Sequence, residues 1–213
     1  MIEAVIFDMD GVLVDSEPHH VTIEKQQFRM NGISISDEEH QKFMGTSSEN
    51  MWTEIANRYQ LEQPVEELIS QHSVESIRYF TELSEIPVMP GLIDLLENLK
   101  AKNYPLAVAS SSVPEIIDLI LRKTGLRKYF QVVVSGQEVG QSKPEPDVFL
   151  LAALKLGVKP KNCLVIEDSY NGIKAAQAAE MSCVAYQSPG VDPTTQKEAD
   201  AIVKSFDQLG MML

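Results

Sequence analysis

The chain has 213 residues, of which 44% are hydrophobic and 23% charged, and a formal net charge of -13. This composition excludes a disordered chain, and the length allows a full hydrophobic core with room for an insert. The acidity argues against nucleic acid or an anionic membrane surface as partner, and any phosphorylated substrate would need a local reversal of that field, which a bound dication supplies.

The first element is the apolar run Ala4–Phe7, expected as a buried strand, and it leads straight into Phe7-Asp8-Met9-Asp10-Gly11-Val12. Along an extended chain, residues i and i+2 share a side, so Asp8 and Asp10 converge beyond the strand end while Gly11 lets the backbone turn away. Two such carboxylates divide labour when one stays ionised and the other holds a proton. An Asp-x-Asp is also ordinary turn chemistry.

Residues 16–84 break the pattern that follows. They contain no convincing strand but several helical stripes: Trp52, Ile55, Ala56 and Tyr59 in one, Val65, Leu68 and Ile69 in another. Ser36 and Glu39 have the spacing of a capping box just before Phe43 and Met44. Proline-bearing joints stand at Asp15-Ser16-Glu17-Pro18 and Ser84-Glu85-Ile86-Pro87. An all-helical insert at 16–84 is therefore expected, carried by an α/β core of residues 1–15 and 85–213.

From residue 88 onward short apolar runs alternate with helical stripes. Leu106–Ala109, Val132–Val134, Leu164–Ile166 and Val184–Tyr186 read as strands; Leu92, Leu95, Leu96 and Leu99, then Ile116, Ile117, Ile120 and Leu121, read as helices. Val148, Leu151 and Ala152 start another, ended by Gly157 and Pro160. Such alternation implies a parallel sheet covered on both faces.

Three further clusters in this stretch carry chemistry. Ser110-Ser111-Ser112 follows an apolar strand and precedes a helix near Pro114, a natural phosphate cradle or simply a helix cap by Ser112. Ser142-Lys143-Pro144 fixes a lysine between a loop and a proline turn, where it either holds a phosphoryl group or stands in solvent. Glu167-Asp168-Ser169 puts carboxylates at a strand terminus, suited to Mg²⁺ or, more plainly, to capping the next helix. The combination is more specific than any part, because ligands of parallel α/β sheets bind outside the carboxyl ends of the strands.

Asp8-x-Asp10, Ser110, Lys143 and Glu167-Asp168 match, in order and local context, the four motifs of the haloacid dehalogenase superfamily. The chain resembles that family over essentially its whole length, most closely the beta-phosphoglucomutase-like phosphatases and mutases. The resemblance implies a Rossmann-like core, a mobile helical cap and an aspartyl-phosphate intermediate on Asp8. It implies that Asp8 attacks phosphorus and ligates Mg²⁺, and that Asp10 serves as acid and base while its carbonyl touches the metal. Ser110 and Lys143 would hold phosphoryl oxygens, and Asp168 and Glu167 would complete the metal site. The small residues of Gly172-Ile173-Lys174-Ala175-Ala176 would pack the next helix on the sheet.

Cap residues carry the substrate question. His20 matches a hinge histidine of the mutases, and Gly45, Ser48 and Ser111 are further candidate substrate contacts. Where the resembling mutases place a phosphate-gripping arginine, this chain has Ser48 beside Glu49, and no lysine occurs around Gln71-His72-Ser73. The expected activity is thus a Mg²⁺-dependent phosphatase acting on a small phosphorylated metabolite such as a sugar phosphate. A sugar phosphomutase is the alternative, and a catalytically silent binding protein a more distant one. Cys163 and Cys183 have no metal-ligand spacing and are expected as free thiols. With no membrane-length apolar run and no leader-like start, a cytoplasmic protein is expected, and an acidic single core with a moving cap is expected to be a monomer.

Overall fold

A computed structural model describes residues 1–43, 46–188 and 191–212. Strands β1 (Ala4–Phe7), β2 (Leu106–Ser110), β3 (Val132–Ser135), β4 (Cys163–Glu167), β5 (Ser182–Tyr186) and β6 (Ala201–Val203) form one six-stranded sheet in the order β3-β2-β1-β4-β5-β6. Every pairing is parallel. The expected α/β, Rossmann-like core is therefore present. β6 was not anticipated, being three residues long and flanked by Asp200 and Lys204.

The period-two alternation of each strand divides the core. Val5, Phe7, Val108, Ile166 and Tyr186 face helices α5 (Leu92–Ala101), α6 (Pro114–Lys123) and α9 (Phe206–Gly210). Ala4, Ile6, Ala109, Val165 and Cys183 face α7 (Asp147–Leu156) and α8 (Tyr170–Ala178). Successive residues of β1 are thus buried on opposite faces, which is why the strand is apolar throughout. Cys163 and Cys183 are both buried free thiols, as expected.

Between β1 and α5 lie α1 (Glu17–Met30), α2 (Asp37–His40), α3 (Ser48–Tyr59) and α4 (Val65–Glu82). They enclose a separate apolar cluster of Phe28, Ile33, Phe43, Met51, Trp52, Ile55, Ala56 and Leu68. Trp52 is fully buried there and acts as core. The Ser36–Glu39 capping box forms at α2 as expected. No strand occurs in this stretch among the described residues. Arg58 and Arg78 pair with Glu54 and Glu75 on exposed helix faces.

The chain leaves and re-enters the core side by side. Val14 and Val88 form an isolated antiparallel bridge, with Asp15 N donating to Pro87 O at 2.9 Å and Met89 N to Leu13 O at 3.0 Å. Close by, Lys123 Nζ of α6 donates to the carbonyls of Phe80 and Thr81, both at 2.9 Å, and so terminates α4.

Candidate active site

The strand order reverses about β1, whose neighbours β2 and β4 are reached by connections running in opposite senses. A crevice opens beyond the carboxyl ends of these three strands. Asp8, Asp10, Ser111, Lys143, Glu167 and Asp168 line it, and His20 and Ser48 line it from the helical insert, in one cavity of about 1090 Å³. Gly45 lies outside the described residues.

Lys143 is the electrostatic centre. It is 2% exposed, and its Nζ donates to Asp8 Oδ1 at 2.6 Å, Glu167 Oε1 at 2.7 Å and Ala109 O at 3.2 Å. The ammonium also sits 4.8 Å from the centre of the Phe149 ring. The solvated-turn alternative for this lysine does not hold. Burial would lower its pKa, but Asp8 and Glu167 override that and keep it protonated well into the alkaline range.

One lysine does not neutralise the carboxylates around it. Oxygens of Asp8, Glu167 and Asp168 come within 4.8 Å of one another. Burial raises Asp8 to about 8, with Lys143 opposing and Glu167 and Asp10 adding to the rise. Burial also raises Asp168, reinforced by Glu167 and Asp8. An all-oxygen set in which Asp8 and Asp168 both resist ionisation fits a hard dication such as Mg²⁺.

Glu167 takes part from behind. Its Oε1 accepts from Lys143, while Oε2 accepts from Asp168 N and Ser169 N, both at 2.8 Å, and from Ser169 Oγ at 3.0 Å. Ser169 then caps α8 by accepting from Gly172 N. Gly172 is required by close contact with the end of β4, where a Cβ would stand 1.6 Å from Glu167 Oε1, and Ile173, Ala175 and Ala176 pack on the sheet as expected. Gly11 is constrained twice, by its φ of +77° and because a Cβ would fall 2.0 Å from Asp168 Oδ2. Gln196, fully buried, donates to the carbonyls of Asp168 at 2.7 Å and Tyr186 at 3.0 Å, tying the following loop to the site.

Asp10 is held apart from this cluster. Its Oδ1 accepts from Ser16 Oγ at 2.5 Å and pairs with His20 Nε2 at 3.0 Å; its Oδ2 accepts from Ser112 Oγ at 3.0 Å and Ser110 Oγ at 3.4 Å. Burial pushes Asp10 up, but His20 with the Ser16 and Ser112 hydroxyls wins and leaves it at about 2. Burial likewise opposes His20, yet the Asp10 charge and hydrogen bond raise it to about 9. The result is an imidazolium–carboxylate pair across the junction of insert and core.

Two residues of this arrangement were not anticipated. Ser112 does not cap α6, whose N-cap is Val113, and instead holds Asp10. Ser16 stood in the sequence only as part of a joint, and Asp-Ser-Glu-Pro signals a helix start without saying what the serine touches. Ser110 is fully buried, accepting from Ser112 N at 3.1 Å, so that Ser111 and Ser112 reach the cavity surface rather than Ser110.

The family profile described as haloacid dehalogenase-like hydrolase matches residues 5–186. A phosphorylated carbohydrates phosphatase of Thermotoga maritima is 34% identical over 178 residues, covering 84% of this chain and 82% of its own. Hexitol phosphatase B of Escherichia coli is 32% identical over 192 residues, covering 88% and 85%. The crystal structure of beta-phosphoglucomutase from Clostridium difficile superposes with a TM-score of 0.88 at 27% identity, covering 98% of this chain and 93% of that one. By sequence and by fold, this chain belongs to the haloacid dehalogenase-like hydrolases.

Proposed function

We propose that the chain is a Mg²⁺-dependent phosphatase of a small phosphorylated metabolite, with sugar or polyol phosphates as the substrate class. The observation that carries this reading is the separation of roles in the crevice. Asp8 is clamped by Lys143 in the carboxylate cluster, while Asp10, a few ångströms along the chain, has both oxygens committed to hydroxyls and an imidazole. One carboxylate is set up to meet phosphorus and the other to handle protons.

In the proposed cycle an Asp8 oxygen attacks phosphorus and the ester P–O bond breaks. The departing oxygen takes a proton from Asp10. Water then gives a proton to Asp10 as it attacks the phosphoryl-aspartate, releasing inorganic phosphate and restoring Asp8. The His20–Asp10 pair as found has its proton on the imidazole, the form suited to accepting a proton from water; transfer from His20 prepares the acid form. Lys143 and the Ser111 region hold phosphoryl oxygens, as does Ser110 if its hydroxyl turns from Asp10. Asp8, Asp168, the Asp10 carbonyl and Glu167 would hold Mg²⁺, and the ion would supply Lewis-acid stabilisation of the phosphoryl charge.

We further propose that residues 16–84 act as a cap that closes over residues 1–15 and 85–213. The paired crossings at Val14 and Val88 supply the hinge. No helix of the described residues is long and apolar enough to cross a membrane, and the buried free thiols fit a reducing, cytoplasm-like compartment. A monomer is part of the same proposal.

A phosphomutase is the second reading, favoured by the His20–Asp10 contact and by the likeness to beta-phosphoglucomutase. Ser48 on the cavity wall, in place of a phosphate-gripping arginine, weighs against it. The deciding experiment supplies phosphorylated sugars, including beta-glucose 1-phosphate with a trace of glucose 1,6-bisphosphate. It is run with Mg²⁺ and with EDTA, and with Asp8→Asn. Mg²⁺-dependent free phosphate, lost in Asp8→Asn, is the expected result. Glucose 6-phosphate without free phosphate would make the chain a mutase, and undiminished activity in Asp8→Asn would remove the nucleophile assignment.

A further inference from the structure

The wall of the cavity opposite the carboxylate cluster is built from α1, α2 and α4, and it is polar in an unusual way. On α1, Glu17, His20, Val21 and Glu24 follow one another at helical spacing and all line the cavity. Glu24 Oε2 is 2.5 Å from His40 Nε2, and His40 is 5% exposed and set edge-on against Phe28. No other hydrogen bond reaches the Glu24 carboxylate among the described residues, so one oxygen is anchored and one is left for a ligand.

His72 of α4 lines the same wall at 4% exposure. Its Nδ1 is 2.9 Å from Gln27 Oε1, an acceptor, so Nδ1 carries the hydrogen and Nε2 a lone pair. Nε2 has no partner among the described residues. Burial lowers His72 to about 4, which keeps the ring neutral near pH 7. Two fixed groups therefore accept hydrogen bonds and offer none, and the matching ligand group is a donor without negative charge. A hydroxyl satisfies this. A second phosphate does not: Lys25 on that wall is committed to Asp37 at 2.6 Å, and the exposed Lys42 shares the cavity lining with the carboxylates of Asp37 and Glu38.

The helix also sets a length. His20 touches Asp10, and Glu24 is one turn farther, about 6 Å along the axis. An extended six-carbon chain, with carbon–carbon bonds of about 1.5 Å, covers roughly the same span. We propose that Glu24 and His72 form an acceptor-lined subsite for the hydroxyl-bearing end of five- or six-carbon sugar or polyol monophosphates, and that this subsite excludes bisphosphates. The inference rests on the phosphatase reading above and specifies its substrate class.

The test is a ratio: kcat/KM for glucitol 6-phosphate over kcat/KM for glycerol 3-phosphate, which is too short to reach Glu24. Losing a hydrogen bond to a charged acceptor should lower that ratio about tenfold or more in Glu24→Ala, mainly through KM, with a smaller fall in His72→Phe. Glu24→Lys should move relative activity toward fructose 1,6-bisphosphate by about tenfold. Glu24→Gln, which keeps the side-chain volume against His40, carries the test if the alanine variant misfolds; a ratio lowered severalfold is expected there. A ratio within about twofold of wild type in both Glu24 and His72 variants would overturn the subsite while leaving the phosphatase reading intact. Absence of Mg²⁺-dependent phosphate release from either substrate by the wild-type enzyme would defeat the reading and the subsite together.

Discussion

Replacing His20 with asparagine tests the imidazolium–carboxylate pair through stability, independently of turnover. In the folded protein His20 is raised from an ordinary 6.5 to about 9, with burial opposed and outweighed by the Asp10 charge and hydrogen bond. A raised folded-state pKa contributes stability that is complete below about 6.5 and lost as pH climbs toward about 9. At 1.36 kcal/mol per unit the full span corresponds to about 3 kcal/mol. The side chain is 16% exposed, so solvent screening removes little of it. Urea unfolding of metal-free protein from pH 6 to 9.5 should show wild type losing about 3 kcal/mol more than His20→Asn across that window. The comparison of two chains cancels the groups that titrate there without His20 among their causes, such as Asp8. Glu17, raised to about 7 by burial with His20 opposing, rises further in His20→Asn and is followed separately through Glu17→Gln in both backgrounds. Parallel curves for the two proteins would refute the pair as described.

Two further substitutions probe the carboxylate cluster. Gly172→Ala places a Cβ 1.6 Å from Glu167 Oε1, so α8 or Glu167 must move; a stability loss of about 2 kcal/mol and weaker protection from melting by Mg²⁺ are expected. Unchanged Mg²⁺ protection would show that Glu167 does not depend on that close approach. Lys143→Met removes the only ammonium bonded to Asp8 and Glu167 among the described residues, and should cost about 3 kcal/mol in metal-free urea unfolding and abolish phosphate release. Wild-type values for both would place the phosphoryl-holding charge elsewhere.

Much of this architecture was legible because strand burial and strand chemistry coincide in a parallel sheet. Ala4–Phe7 is apolar on both faces, and the next residue is already a catalytic candidate; β2 and β4 likewise run to their polar ends without a break. The second-tier contacts were hidden for a different reason. Ser112 and Asp10 meet across 102 positions, and Gln196 reaches the Asp168 carbonyl across 28, distances over which side-chain type carries no local signature. Glu24 and His40 were equally silent. α1 buries only Ile23, Gln27 and Phe28, too sparse an apolar stripe to orient the helix, so which acidic residues faced the cavity required the fold itself.

The side-by-side crossings at Val14 and Val88 bear on how such a chain diversifies. Two backbone hydrogen bonds unite the exits, so a different helical module could be spliced through the same pair of openings and still face the same strand ends. Specificity would change hands while the phosphoryl machinery stayed put. The graft has one obligation, because Ser16 and His20 travel with the module and Asp10 does not. A replacement must bring a hydroxyl and an imidazole at its first turn, or Asp10 loses two of the partners that hold it.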